Sequence, residues 1–421
     1  MQQKIDGLLV PKLRFPEFLD AGEWKERTLA EFLTESRILG SRGDVAKKIT
    51  VKLWGKGVYK KNDEIKGSIN TQYYRRKAGQ FIYSKLDFLN QAFGIISKNL
   101  DSYESTVDLP CFDINERLNS IFLLEYVKRK EFYERLGEAA DGSRKARRIH
   151  ADTFLSFSIF VPSIKEQQKI ADCLSSISDR ITLEAQKLDT LKVHKKGLMQ
   201  QLFPAEGETL PKLRFPEFQD TGEWEMKKLG DFGEFKNGIN FSADKKGSGT
   251  LTVDVLNMYG AGIETKLDSL YRVDMDAKDY LLRDGDILFV RSSMKREGIG
   301  WASLFRDFSE PVLFCGFLIR LRLTSFELTD PNFLLYYLRS DFGRKKIISI
   351  SGTAAITNIS QDSLKVIPAI MPTLREQQKI ADCLSSLDKL IAAQTQAIAT
   401  LKTHKKGLMQ QLFPSVKEVK A

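Results

Sequence analysis

The sequence predicts an α/β (α+β) fold in which two globular mixed domains are separated by two long antiparallel helices. The helices are expected to form a coiled coil with a pseudo-twofold internal repeat. Three segments that occur twice, in the same order, carry this prediction. They are PKLRFPEF at 11–18 and 211–218, EQQKIADCLSS at 166–176 and 376–386, and HKKGLMQQLFP at 194–204 and 404–414.

The two copies share their ends and differ in their middles. The offset between them grows from 200 residues at the first motif to 210 at the last, so the additional residues fall within the second variable region. This alignment divides the chain into four parts. They are a first mixed domain at 1–162, a central spacer helix at 163–204, a second mixed domain at 205–372 and a C-terminal spacer helix at 373–421.

Each copy closes on a stretch that has the pattern of one long helix. Residues 166–203 contain no proline and a single glycine, and a helix of this length would span roughly 57 Å. Apolar residues follow one heptad register, and 27 of the 39 aligned positions of the two helices are identical, which favours packing of the helices on each other. The alternative is that both are core helices of a globular α/β domain.

The predicted helix–helix interface is formed by the apolar heptad positions of both copies. They are Ile170, Leu174, Ile177, Ile181, Leu188 and Leu191 in the first helix, and Ile380, Leu384, Leu387, Ile391, Ile398 and Leu401 in the second. The register is interrupted at the same two places in each copy, namely Glu184/Gln394 and Lys195/Lys405.

The two variable regions share one strand despite their divergence. Residues 80–84 and 286–290 each follow a glycine, are mainly apolar and end before a basic residue, Lys85 or Arg291. This similarity predicts a common buried frame whose following loop is filled differently in each copy. Further predicted elements are a strand over 312–321 and a helix over 333–339 that begins at an Asp-Pro-Asn signal.

The composition limits the classes of function. A net charge of +10 favours a polyanionic partner such as nucleic acid, with simple solubility as the alternative explanation. The four cysteines contain no CxxC pair, which argues against a zinc site or a disulfide framework and fits a reducing cytoplasm. The sequence shows neither a signal peptide nor an apolar stretch that could span a bilayer, so we expect a cytoplasmic protein without membrane association.

Motifs for catalysis are missing from the sequence. There is no Walker A motif, no GxGxxG after a strand, no HExxH, no serine nucleophile elbow and no Pro-Pro pair for an amino-methyltransferase loop. We therefore predict no catalytic residue, no metal ligand and no cofactor in this chain.

Polar and basic side chains cluster after the two shared strands and in one basic run. Arg and Lys can bond guanine and Asn or Gln can bond adenine in the major groove, and basic side chains also contact phosphates. The alternative explanation of the basic run is a solvated loop. The residues predicted to contact DNA are Lys85, Asn90, Gln91, Arg144, Lys145, Arg147 and Arg148 in the first copy, and Arg291, Ser293, Lys295, Arg296, Thr357 and Asn358 in the second.

The repeated motifs resemble those of the specificity subunit of type I restriction–modification enzymes. The resemblance rests on PKLRFPEF followed by GEW, on PSIKEQQKI at 162–170 with its partner at 372–380, and on GLMQQLF at the end of each copy. It extends over the whole chain in the order target recognition domain, helix, second target recognition domain, second helix.

The resemblance implies that each target recognition domain reads one half of a split, asymmetric site on double-stranded DNA, while the helix pair sets the gap. It implies two modification subunits that dock on the helices and methylate adenine N6 with S-adenosylmethionine after base flipping. It also implies restriction subunits that translocate and cleave DNA with ATP and Mg²⁺. The rival hypotheses are a duplicated scaffold that binds protein rather than DNA, and a self-sufficient methyltransferase–nuclease.

Overall fold

The computed structural model of the protein describes residues 10–62, 67–137, 148–260, 262–324, 326–351 and 357–414. The chain forms two compact units, one of Met1–Leu183 with Ile398–Ala421 and the other of Glu184–Ala397. Each unit combines one mixed domain with the first half of one long helix and the second half of the other. Among the described residues, no helix has a stretch both long and apolar enough to cross a membrane.

The mixed domain of the first unit is built on antiparallel strands. Its strands are β1 (Lys25–Thr28), β2 (Leu33–Glu35), β3 (Leu39–Arg42), β4 (Ile49–Lys52), β5 (Gly57–Lys60), β6 (Gln72–Arg75), β7 (Phe81–Tyr83), β8 (Phe93–Ile95), β9 (Glu104–Ser105), β10 (Cys111–Ile114) and β11 (Ser158–Val161). Its helices are α1 (Ser120–Val127), α2 (Lys130–Gly137), α3 (Ala151–Leu155) and the first half of α4 (Ile164–Leu202). The main sheet has the order β2-β10-β7-β8, beside a sheet β3-β6-β9 and the pairs β1-β11 and β4-β5.

The second unit repeats this main sheet with different surroundings. Its strands are β12 (Glu225–Lys228), β13 (Gly233–Asn237), β14 (Lys246–Val253), β15 (Tyr271–Val273), β16 (Ile287–Val290), β17 (Ser292–Ser293), β18 (Ala302–Leu304), β19 (Val312–Phe314), β20 (Leu318–Leu323), β21 (Thr357–Asn358) and β22 (Pro368–Met371). Its helices are α5 (Pro331–Arg339), α6 (Asp341–Ser349), α7 (Gln361–Lys365) and the first half of α8 (Leu374–Leu412). The order β13-β20-β16-β18 matches β2-β10-β7-β8, and β12-β22 matches β1-β11.

The shared strand predicted from the sequence is confirmed. It forms β7 and β16, which stand third in their sheets and are buried at every residue. The strand predicted over 312–321 is instead two strands in different sheets, because the chain turns at Gly316 and the Leu318 amide donates to the Cys315 carbonyl at 3.0 Å. The predicted helix is α5, whose start is capped by the Asp330 carboxylate on the Phe333 amide at 2.8 Å.

The core of the first domain is aromatic and fixes the end of β7. The ring of Phe154 lies 5.5 Å from that of Phe81 and 4.7 Å from that of Tyr83. The Tyr83 hydroxyl donates to the Ile149 carbonyl at 3.0 Å, so its polar end is satisfied inside the core. Phe88, from the loop that follows β7, packs against the same ring. The loop therefore begins on a rigid base.

The first two repeated motifs bind each other within each unit. The guanidinium of Arg14 donates two hydrogen bonds to the Glu166 carboxylate, at 2.8 and 2.7 Å, and Arg214 does the same with Glu376. The two carboxylates are 1% and 0% exposed, so loss of either arginine would leave a buried charge unpaired at a cost of about 3–5 kcal/mol. These motifs are therefore repeated because the fold of each unit requires this ion pair.

The ends of the long helices belong to the same frame. In the first unit the Leu13 amide donates to the Gln411 carbonyl of α8 at 3.0 Å, and in the second the Leu213 amide donates to the Gln201 carbonyl of α4 at 2.9 Å. The last residues of each helix are buried in the core of the same unit, Leu412 and Phe413 in the first and Leu202 and Phe203 in the second.

The two long helices run antiparallel. In the second unit the Gln394 amide donates to the main-chain carbonyl of Glu184 at 3.0 Å. Further along α4, Lys195 pairs with Asp388, which comes earlier in α8, at 2.6 Å. Both pairs include positions where the predicted heptad register is interrupted, so polar side chains replace apolar ones there and bond each other.

The residues predicted for the helix–helix interface are buried or half-buried. Ile170, Leu174, Ile380, Leu384, Ile391 and Ile398 are buried, and Ile177, Ile181, Leu188, Leu191, Leu387 and Leu401 are half-buried. The first four of the buried residues belong to the cores of the mixed domains, because the first turns of each helix lie against the domain that precedes them. The interface role of the other eight stays a prediction.

Candidate nucleic-acid interface

The loop that follows β7 holds three residues predicted to contact DNA, Lys85, Asn90 and Gln91. Phe88 within it is buried and its ring lies 5.0 Å from that of Phe93, which anchors the loop on the core. The three predicted residues are half-buried, so each keeps part of its side chain accessible. The structure brings them together in one short loop at the end of a rigid strand.

A turn between β4 and β5 braces this loop and contains Trp54, which was not predicted from the sequence. The Trp54 amide donates to the Asn90 carbonyl at 2.7 Å, and the Gly55 amide donates to the Gln91 carbonyl at 2.9 Å. Trp54 and Gln91 both have left-handed backbones, with φ of 62° and 53°, and such strain costs on the order of 1–2 kcal/mol per residue. Trp54 is nevertheless 59% exposed. Strained residues that present an exposed aromatic ring are typical of binding surfaces. The signal in the sequence that could have indicated this residue was a Trp-Gly pair among lysines.

The basic run of the first domain lies mostly outside the described residues. This applies to Arg144, Lys145 and Arg147. Arg148 is described, and its guanidinium lies 3.6 Å from the Asp108 carboxylate with both side chains nearly half exposed. An exposed pair of this kind is weak in water, so Arg148 can exchange this carboxylate for a phosphate.

In the second unit, two predicted segments that are far apart in sequence are neighbours. The strand β17, directly after Arg291, pairs with β21, so that Ser292 stands opposite Asn358 and Ser293 opposite Thr357. The Ile359 amide donates to the Arg291 carbonyl at 3.0 Å and extends the same pairing. The backbone pairing therefore places the segment of Arg291 and Ser293 beside the segment of Thr357 and Asn358.

The tip of the loop after β17 is the most exposed part of this region. Lys295 and Arg296 are exposed, and Met294 between them and β17 is 90% exposed. The Ser293 hydroxyl donates to the Lys295 carbonyl at 2.7 Å and so holds the turn. Ser293 thus shapes the loop, while the two basic residues that follow are presented to solvent.

A polar cleft of about 790 Å³ opens beside this region. Arg291 lines it, with its guanidinium donating to the Gly316 carbonyl at 3.3 Å. The other lining side chains include Asn237, Asn240, Phe317, Asn358 and Gln361. Amide side chains offer both donors and acceptors, as the edges of bases do. Of these lining residues only Arg291 and Asn358 were predicted from the sequence, because the others come from separate segments that carry no local signal.

Several arginines of this unit are structural and unavailable to a ligand. Arg339 donates to the carbonyls of Ala302 and Gly262 at 2.8 and 2.6 Å and lies 4.6 Å from the Trp301 ring. Burial lowers the pKa of Arg339 to about 10, which leaves it charged at neutral pH. A positive charge in the sequence therefore does not by itself make a residue available to a ligand.

Comparison with known proteins identifies the family of this duplicated fold. The type I restriction modification DNA specificity domain matches twice, at residues 23–193 and 221–403. The chain thus belongs to the family of type I restriction–modification specificity proteins, and the resemblance seen in its repeated motifs is confirmed. It is a specificity subunit with one specificity domain in each copy of the repeat.

Individual relatives agree with this assignment. The type I restriction enzyme MjaVIII specificity subunit of Methanocaldococcus jannaschii is 24% identical over 319 residues, which cover 73% of this chain and 72% of that protein. The StySPI specificity subunit of Salmonella potsdam is 22% identical over 270 residues, 63% of this chain and 58% of that protein. The crystal structure of a type I restriction–modification S subunit from M. genitalium has the same fold, with a TM-score of 0.58, 16% identity and coverage of 97% of this chain and 100% of that one.

Proposed function

We propose that the protein recognises a bipartite, asymmetric site on double-stranded DNA and that each mixed domain reads one half of it. The observation that carries this proposal is the shared four-stranded sheet of the two units. At the end of equivalent strands, one unit has Lys85, Asn90 and Gln91 and the other has Arg291, beside which β21 brings Asn358. Different donors and acceptors on one frame suit two different half-sites.

The long helices would set the gap between the half-sites and carry the other subunits of the complex. Two modification subunits would dock on them, because the repeat supplies two equivalent helical segments, and would supply S-adenosylmethionine for methylation of adenine N6. Restriction subunits would supply translocation and cleavage with ATP and Mg²⁺. The present chain would contribute target choice and assembly.

The test is to map methylated adenines in cells that carry this chain together with its modification subunit. We expect one new methylated motif of two short half-sites separated by a gap of fixed length. Cells with the modification subunit alone are the control and should lack the motif. No motif that depends on this chain would support the protein-binding scaffold instead, and binding of S-adenosylmethionine by this chain alone would support the self-sufficient enzyme.

A further inference from the structure

A lysine-rich cleft occurs in each unit at the same position of the repeat. In the first unit its volume is about 900 Å³, and one wall is formed by Lys402, Lys405 and Lys406 of α8. In the second unit its volume is about 200 Å³, and the equivalent wall is formed by Lys192, Lys195 and Lys196 of α4. The same helical wall is thus built twice, although the two clefts differ in size.

The lysines of each wall fall into two groups. Lys405 and Lys195 are half-buried and pair with Glu125 and Asp388, at 3.0 and 2.6 Å. The others are exposed and, within the described part of the chain, form no ion pair; they are Lys402 and Lys406 in the first unit and Lys192 and Lys196 in the second. One lysine of each set serves the fold, and two are available to a ligand.

The opposite walls differ in their residues. In the first unit this wall includes Glu125, the three basic residues at 128–130 and Glu131; the Lys130 side chain is 71% exposed and lies 3.6 Å from the Glu134 carboxylate. In the second unit it follows α5, where Arg339 is buried and Asp341 accepts a hydrogen bond from the Gln200 amide at 3.1 Å. Carboxylates thus line both clefts, Glu125 and Glu131 in the first unit and Asp341 in the second, and the first cleft adds a further exposed lysine.

The cleft of the first unit also reaches the loop predicted to read bases. Trp54, Gly55 and Gln91 line it together with the helical lysines. An exposed aromatic ring, a base-reading amide and several available ammonium groups are what a nucleic-acid surface combines. Two copies of one protein partner would instead require two equivalent clefts, whereas the cleft of the second unit is smaller and has no such loop among its lining residues.

We propose that Lys402 and Lys406 of α8, with Lys130, hold phosphates of double-stranded DNA beside the half-site read by the first domain. This inference rests on the proposed function and adds that a spacer helix contacts DNA itself. It assigns the contact to one unit only. The repeat-equivalent lysines of α4 line a smaller cleft that includes none of the residues predicted to contact DNA, and they are not assigned to DNA.

The experiment compares Lys402→Gln/Lys406→Gln with Lys192→Gln/Lys196→Gln, each as the full chain in complex with its modification subunit. Dissociation constants are measured on target DNA over a range of salt, and on DNA in which the first half-site is scrambled. Loss of two phosphate contacts should lower the salt slope by about 1.8 and the affinity roughly 10- to 30-fold near physiological salt. The loss should be similar on both DNAs, since phosphates carry no sequence information. The matched control in α4 should keep the native slope.

The possible outcomes separate this inference from the proposed function. Native protein without any sequence preference would contradict the proposed function itself. Native sequence preference together with an unchanged salt slope in Lys402→Gln/Lys406→Gln would overturn only the inference. Equal loss of modification-subunit binding by both double variants, with an unchanged slope, would reassign the lysines to protein docking and also overturn it.

Discussion

A half-buried lysine of each long helix pairs with a carboxylate from a different element in the two units. In the first unit Lys405 lies 3.0 Å from the Glu125 carboxylate of α1 and donates to the Ser178 hydroxyl of α4 at 2.8 Å. In the second, the equivalent Lys195 pairs with Asp388, which occupies the position that Ser178 has in the first repeat. The carboxylate is supplied by the domain in one unit and by the partner helix in the other.

This difference predicts that Glu125→Gln destabilises the first unit by about 2–3 kcal/mol. Glu125 is 6% exposed and also pairs with Lys128 at 3.4 Å, so its loss leaves two ammonium groups without this carboxylate. Breaking a fully buried pair costs about 3–5 kcal/mol, and a lower figure applies because the lysine side chains remain 18% and 19% exposed. At about 2–4 °C per kcal/mol for a unit of this size, Tm should fall by roughly 4–12 °C.

A second substitution should rescue this loss. Ser178→Asp in the Glu125→Gln background provides a carboxylate where the second unit has Asp388, and it should recover at least half of the lost stability. The mirrored control is Asp388→Ser with and without Tyr336→Glu, because the Tyr336 hydroxyl donates to Asp388 at 2.7 Å. Thermal unfolding of the full chain, read as a double-mutant cycle, measures the coupling. An unchanged Tm in Glu125→Gln, or no recovery with Ser178→Asp, would refute the reasoning.

Three further predictions concern the interface and the spacer. Arg291→Ala should weaken binding by about 1–3 kcal/mol at one half-site only; equal loss on every competitor sequence would make Arg291 a phosphate contact. Trp54→Gly should raise Tm, because glycine accepts the left-handed backbone, yet weaken binding to DNA with an intact first half-site; native affinity would remove Trp54 from the interface. Deleting one heptad from one long helix should change the gap of the methylated motif and leave both half-sites intact, and an unchanged gap would contradict the spacer role.

The sequence predicted those features that depend on local or repeated patterns. The long helices follow from heptad spacing, and the shared strand follows from matching glycines and basic residues around 80–84 and 286–290. The strand expected at 312–321 was wrong because its apolar run continues through a tight turn at Gly316. A continuous apolar run indicates buried residues, and the strands before and after that turn are both buried.

The polar cleft of the second unit could be predicted only in part. Asn237, Phe317 and Gln361 line it from three separate segments that only the tertiary fold brings together. Residue type also does not indicate accessibility: Arg291 faces the cleft, whereas Arg339 is enclosed by Trp301 and two carbonyls. The sequence shows which residues are charged, but it does not show which other side chains cover them.

The identical residues of the two repeats have two different explanations. Buried ones, such as Glu166 and Glu376, are required by the arginine that each binds within its own unit. Exposed ones, such as Lys196 and Lys406, are not required by the fold. Either both lysines bind a ligand, or one of them is present only because the segment was duplicated. If Lys406 contacts DNA and Lys196 does not, the lysine is kept in α8 because of its function. In α4 the same lysine is then present only because the segment was duplicated. Equal effects of the two lysines would instead mean that one ligand is bound twice.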